Sequence, residues 1–497
     1  GTACRYAPCD GVKHAAYVKD AVSWPPQGTV ATPVSECCDA TTRDMIYNFS
    51  NSILKSASER NTYMTSDERI TPFLEPSLVK RPDVYGGFVR ELASRGMLRF
   101  RECRPGDGLL GVFFVRKKNG KLRIILDTRD VNNFFHPPPK TALPSHASFS
   151  NLECGSDDVL YFASGDLADC FYHFGVPEGL SDWFSLPRVR ASVAGVFHFN
   201  GISIAPNSWL TPCLSVLPMG WAWSLHIAQR VHEHCMAAVG VGPSLLVREK
   251  HYPQPLQDAG ILGAAYVDNH LIISPDRSTA SQIAGRVRTS LESHNLTVHE
   301  IQDADPEVDF IGLHFDGRAH EIRLSWKRLW KLRLAVDEVL RIGLISSKRL
   351  ERLMGHITWA ALLRRETLSI FSACYAFISC KYHVDRPLWD RVTRELRHFR
   401  NLLPLISCHF DLPWDSTAYI SDSSEFGYGI LSQDVGKRAR DWGRIAERWR
   451  FLDSDAVRAR QHALDPDSSD LPTRDPDPDP PSNPGCCDDP CDSFGPR

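Results

Sequence analysis

Two short stretches of the chain set a single carboxylate at the edge of an apolar run. In LYFASGDLADCFYHFGV (160–176) the run reaches Asp166. In AAYVDNHLIIS (264–274) it halts on a Tyr-X-Asp box at Asp268 and then resumes. A box of the second kind puts its carboxylate at the tip of a tight hairpin, within reach of a metal ion. Nucleotidyl transfer needs carboxylates that converge from distant sequence on rigid backbone. They hold two divalent cations, one activating a primer hydroxyl and the other neutralising the triphosphate and leaving group. The position after Asp268, where a second carboxylate would be expected, is Asn269. Its carbonyl oxygen can ligate a hard cation but brings no charge. Taken singly, each box is equally a strand end or an ordinary turn.

The elements that would carry these residues can be read from pattern. PDVYGGFVRELASRGML (82–98) predicts a helix with Asp83 as N-cap, Phe88, Val89 and Leu92 on one face and Gly96 at its end. GVFFVRKKNGKLRIILD (111–127) is two β-rich runs joined at Asn119-Gly120, a strong hairpin signal. LPMGWAWSLHIAQRVHEHCMAAVG (217–240) reads as a turn into a helix with Ile227, Val231 and Cys235 at helical spacing. Ile283, Val287 and Leu291 mark another. From Ser325 to about Cys380 the pattern is helical: Leu329, Leu332, Val336 and Val339 share a face, Gly343 breaks it, and Ser347 could cap the next helix. AYISDSSEFGYGIL (418–431) reads as strand, turn, strand. Residues 1–75 look irregular.

At 497 residues, two to four domains are expected, and 42% apolar with 24% charged residues is ordinary for a globular protein. No apolar run approaches a membrane span and no signal peptide opens the chain, so no membrane partner is expected and an intracellular site, cytoplasmic or nuclear, is. The chain starts with Gly, as a fragment or processed piece would. The net charge of −3 is unevenly spread. Nine Asp and two Arg lie from Gln461 to Arg497, so this tail takes −7 and the other 460 residues carry +4. The tail, with DPDPDP at its heart, lacks the apolar content for a core and should be disordered. The fifteen Cys form no paired C-x-x-C knuckles, which argues against structural zinc and a disulfide framework.

The order of motifs from about residue 85 to 430 resembles that of reverse transcriptases. KKNGKLRIILDTRDVN resembles the fingers hairpin and the stretch after it. SGDLADCFY, LPMGWAWS and YVDN resemble the first, second and third palm motifs, and VDFIGLHFDG (308–317) resembles the primer-grip hairpin. The details look closest to retrotransposons, particularly the group that bears a tyrosine recombinase. The resemblance implies a mixed α/β (α+β) right-hand fold. Its parts would be an N-terminal extension (1–75), fingers (76–160), a palm with an antiparallel sheet (161–318, with a fingers insertion at about 180–215), a helical thumb and connection (319–410), a truncated RNase H-like start (415–460) and the acidic tail (461–497).

The same resemblance implies that Asp166, Asp268 and Asn269 are catalytic, the two Asp holding two Mg²⁺, or Mn²⁺. Lys117, Arg123, Asp169, Phe171, Met219 and Gly220 would surround the nucleotide. Arg123 matches the triphosphate-binding Arg, and Phe171 stands where an aromatic blocks a 2′-hydroxyl and selects deoxynucleotides. Asp169 would position backbone, Met219 stands where many relatives carry Gln, and Asp127 and Arg129 could pair to brace the hairpin. Tyr266, Gly312, Lys327 and Lys331 would meet primer and template, with Arg323, Arg328 and Arg333 around the same helix. The implied partners are an RNA template, a DNA or RNA primer and dNTPs.

The chain departs from that pattern at three places. Asn269 replaces a carboxylate, although polymerases of some negative-strand RNA viruses carry a Gly-Asp-Asn box. After the palm helix relatives often place a Lys as proton donor to pyrophosphate, and here only His299 is near. Asp422 would be the first carboxylate of an RNase H-like domain too short to be complete, so no RNase H activity is expected. Two other readings stay open: a non-catalytic nucleic-acid-binding remnant, favoured by Asn269, and an RNA-dependent RNA polymerase, opposed by Phe171.

Overall fold

The structure, a computed structural model, describes residues 14–117, 119–199, 201–249, 251–424 and 426–441. The acidic tail, Lys118 and the first thirteen residues lie outside the described residues. The chain divides into two units between Asp415 and Ser416. The first unit mixes helices and strands, as the sequence leads one to expect.

Helix α1 (Pro82–Ala93) buries Phe88, Val89 and Leu92. Its first residue is Pro82, whose missing N–H costs nothing there. Arg81, not Asp83, therefore holds the cap position, and Asp83 lies in the first turn. Strands β1 (Gly111–Arg116) and β2 (Leu122–Asp127) form the expected hairpin, with Gly120 in the left-handed region at φ 82°. At its foot Arg129 grips Asp127 at 2.7 Å, and Asp127 also accepts from the Phe73 amide at 2.8 Å. The expectation of an irregular N-terminal stretch needs correction. Residues 40–47 and 57–65 are helices, capped by Asp39 and by a Ser56–Glu59 capping box. Val34, Cys37, Ile46 and Ile53 are buried in the main core. Ala15 and Val22 bridge to the two strands of the hairpin, covering edges that would otherwise stand open.

The central sheet has four antiparallel strands in the order β4-β5-β3-β6. They are β3 (Tyr161–Leu167), β4 (Leu262–Tyr266), β5 (Asn269–Ser274) and β6 (Val298–Asp305). Helices α2 (Ala222–Ala237) and α3 (Arg277–Glu292) pack on one face of it. Alternation along the strands sends Ala163, Ala265 and Ile272 into one core with Ile227, Val231 and Val287. Their neighbours Phe162, Ala264, Leu271 and Ile273 enter a second core. Burial on both faces is why β3, β4 and β5 read as apolar runs, unlike the largely exposed β6.

That second core joins the sheet to a second four-stranded antiparallel sheet. It consists of β7 (Glu307–Phe310), β8 (Leu313–Asp316), β9 (Glu321–Leu324) and β10 (Ser407–His409) in sequential order. Helices α4 (Trp326–Ile342) and α5 (Ser347–Ala361) follow β9. Gly343 ends α4 in the left-handed region, as expected. Ser346 rather than Ser347 takes the cap position of α5. The Ser347 hydroxyl instead donates to the Phe377 carbonyl and accepts from the Tyr382 amide, both at 2.9 Å. The second unit contributes one described hairpin, β11 (Thr417–Ser424) with β12 (Gly427–Asp434). All ten described cysteines are free.

Candidate active site at the tip of the central sheet

The β4–β5 hairpin closes between Tyr266 and Asn269, leaving Val267 and Asp268 as a two-residue loop. Val267 sits at φ 58°. A β-branched residue there is strained by roughly 1–2 kcal/mol. The loop is fastened to the next strand: the Leu167 amide donates to the Asp268 carbonyl at 2.8 Å. In the same register Asp166 stands opposite Asn269 on one side and His299 on the other. The two Asp named by the sequence thus meet at one end of the sheet.

Their electrostatics are those of an incomplete site. Burial, and next the charge of Asp268, push the Asp166 carboxyl up to about 6 from its ordinary 3.8. Its Oδ1 is buried with no hydrogen-bond partner among the described residues. His299 Nε2 lies 3.7 Å from Asp166 Oδ2. The Asn269 side-chain amide donates to Asp268 Oδ1 at 3.0 Å, bracing that carboxylate. A buried carboxylate oxygen with no donor, beside a second carboxylate, fits a hard cation. Among the described residues no three His, Cys, Asp or Glu side chains form a metal-holding group. A cation held by Asp166 and Asp268 would have to complete its shell from a ligand or water.

Beside Asp268 is a cavity of about 580 Å³, which Asp166 does not line. Tyr266, Asp268 and Asn269 form one wall, and Ile311, Arg328, Arg352, Gly355, His356 and Trp359 the rest. Ile311 and Gly312 make the β7–β8 turn at φ 43° and 87°. A side chain at 312 would put its Cβ 2.2 Å from Arg328 Nε, so glycine here makes room for that guanidinium. Trp359 packs on His146, ring centroids 4.6 Å apart. Sequence reading singled out Lys327 and Lys331 on α4. Both are exposed there and neither lines the cavity, which Arg328 does. Arg352, His356 and Trp359 were missed altogether. The available signal was the seam Arg352-Gly355-His356-Trp359 left on α5 between the buried Leu350, Leu353, Met354 and Ile357.

The other expected residues lie away from the cavity lining. Gly220 has φ 112°, and a Cβ there would lie 3.0 Å from Thr128 Oγ1 and 3.3 Å from the Leu126 carbonyl. Asn132, not anticipated, clips this turn by donating to the Gly220 carbonyl at 3.1 Å and accepting from the Ala222 amide at 2.9 Å. Met219 beside it is half-buried. Trp221 and Trp223 are buried in the core. Asp169 is left-handed at φ 49° and caps the short helix Cys170–His173, which carries Phe171, half-buried against the main core. The exposed Arg123 is close enough for its charge to act on the Tyr172 hydroxyl. Lys117 Nζ donates to Ser23 Oγ of the N-terminal segment at 2.8 Å. Asp422 lies in the second unit, on β11 opposite Gly429.

No family model matches the chain. Over 262 residues, half of the chain, it is 26% identical to the Gag-Pro-Pol polyprotein of Mouse mammary tumor virus (strain BR6), 12% of whose length the match spans. Among solved structures it is similar to a foamy viral protease-reverse transcriptase in complex with double-stranded DNA. Identity is 14% and the TM-score 0.47, over 83% of this chain and 70% of that one. The foamy viral protease-reverse transcriptase in complex with an RNA/DNA hybrid gives 14% and 0.44, over 82% and 54%. Among the described residues no helix is long and apolar enough to cross a membrane.

Proposed function

We infer that this chain is the polymerase part of a reverse transcriptase, adding deoxynucleotides to a primer 3′-end on an RNA or DNA template. The observation that carries the reading is the meeting of Asp166 and Asp268 at one sheet end, beside a cavity walled by Arg328 and Arg352. A carboxylate pair that fits a cation, with Asp268 sharing its cavity with guanidiniums that can take phosphates, suits a polyanion whose terminus reacts. Asp166 and Asp268 would hold two Mg²⁺, or Mn²⁺, which activate the primer hydroxyl and neutralise the triphosphate. On this reading the central sheet with α2 and α3 is the palm, β1–β2 belongs to the fingers, and α4 and α5 to the thumb. Arg123 binds triphosphate and Phe171 excludes the 2′-hydroxyl. The partial likeness to a retroviral polyprotein supports this assignment, and the motif resemblance alone supports a retrotransposon source.

A second reading, a nucleic-acid-binding remnant without catalysis, is favoured by Asn269, whose amide braces Asp268 where a carboxylate would add charge. Primer extension on an RNA template decides between them. It is run with dNTPs or NTPs, in Mg²⁺ or Mn²⁺, beside Asp268→Ala. Extension with dNTPs that vanishes in the variant supports the polymerase. Tight primer–template binding without extension in either metal supports the remnant, and preference for NTPs makes it an RNA polymerase.

A further inference from the structure

The strained loop that carries Asp268 is held from behind. Gln229 on α2 accepts from the Val267 amide at 2.8 Å and donates to the Ala265 carbonyl at 2.9 Å, gripping the loop on both sides of Tyr266. Less than one turn along α2, His232 Nδ1 lies 2.9 Å from the Val267 carbonyl. A carbonyl only accepts, so Nδ1 carries the proton and Nε2 of the neutral ring is an acceptor. Nε2 in turn takes the Nδ1–H of His270 at 3.2 Å. Both rings are buried. Burial disfavours the charged form of both rings.

His270 reaches the other carboxylate strand. It stands opposite Gly165, the residue before Asp166. A Cβ at 165 would lie 2.7 Å from His270 Cε1 and 2.9 Å from its Nε2. One contiguous chain of contacts therefore runs from Val267, beside Asp268, through His232 and His270 to Gly165, beside Asp166.

We propose that Gln229, His232 and His270 are positioning residues that set Asp268 against Asp166, so that the pair receives metal without rearranging. This rests on the reading of those two Asp as metal-holding carboxylates. Groups that orient metal ligands typically contribute roughly 10–100-fold to metal affinity or activity.

The test uses the full chain with a primer–template and two variants. Gln229→Leu removes the grip on the loop at similar volume. The pair His232→Leu with His270→Leu removes both partners of a buried hydrogen bond, so neither ring is left with an unsatisfied nitrogen. Hydrogen exchange at the Val267 amide should accelerate in Gln229→Leu. In both variants the Mg²⁺ needed for half-maximal extension should rise and kcat should fall by roughly 10-fold or more. The KM for dNTP and the Kd for primer–template should stay within about twofold, a split that general loosening would not produce. Wild-type kcat and Mg²⁺ dependence in both variants would overturn the proposal, as would unchanged exchange at Val267 in Gln229→Leu. Should the wild-type chain extend no primer, the polymerase reading falls separately. Exchange at Val267 and Mn²⁺ affinity, read by paramagnetic broadening, then decide the clamp: both altered uphold it, and either unaltered overturns it.

Discussion

Two hairpins of this molecule carry an Asp on an apolar strand pattern, and they differ in almost everything else. The β4–β5 hairpin lies in a four-stranded sheet and is itself buried on both faces, with helix side chains gripping the backbone of its loop. The β11–β12 hairpin is two strands whose Tyr419, Ile420, Tyr428, Ile430 and Leu431 are all exposed. A two-stranded hairpin alone is marginal in water. The contrast teaches that a carboxylate acquires chemistry from what surrounds it. Asp166 is partly desolvated and faces a second carboxylate, so its charge is costly there.

The largest expected effect tests that contrast directly. Asp166→Ala or Asp268→Ala should lower primer extension by on the order of a thousandfold or more, whereas Asp422→Ala should leave it unchanged. A loss with Asp422→Ala, measured on the same primer–template, would break the comparison.

The pH dependence sharpens it. With its carboxyl at about 6 when folded and 3.8 ordinarily, Asp166 holds more proton in the folded than in the unfolded chain between those values. Metal-free stability from this group is therefore greatest below about pH 4 and declines as pH rises through 6. Asp166→Asn should remove that slope, as read by urea unfolding in EDTA. Mg²⁺ affinity should run the other way, falling as pH drops below about 6 because the ligand must be ionised.

Packing separates the two regions next, through Gly165 of β3, the strand paired with β5. Gly165→Ala drives a methyl onto His270 and Val298 Cγ1, both closer than 3.0 Å, and should cost about 1–3 kcal/mol in denaturant unfolding. Gly429→Ala on β12 meets nothing within 4 Å and should stay within about 0.5 kcal/mol. The smallest effect concerns the cavity wall. Arg352→Ala should weaken primer–template binding and reduce the slope of log K against log salt by about 1, as expected for one lost phosphate contact.

Local chemistry is what one sequence can specify by itself. The Asn119-Gly120 hairpin, the apolar runs of the central strands, the face of α2 at Ile227, Val231 and Cys235, and the break at Gly343 are all as read, because each depends on neighbours a few residues away. The pairing of Asp127 with Arg129 was legible for the same reason. A Ser56-Ala-Ser-Glu59 box marked one N-terminal helix and could have prevented the reading of that region as irregular.

Only the tertiary structure decided the rest. It turned Lys117 to Ser23, put Arg328 rather than Lys327 or Lys331 of α4 on the cavity wall, and added Arg352, His356 and Trp359 from α5. It also joined Gln229, His232 and His270 behind the loop of Asp268. Which polar side chain meets which depends on the rotation of each helix against the sheet. That rotation is set by packing among many distant apolar residues, and no spacing within one segment records it.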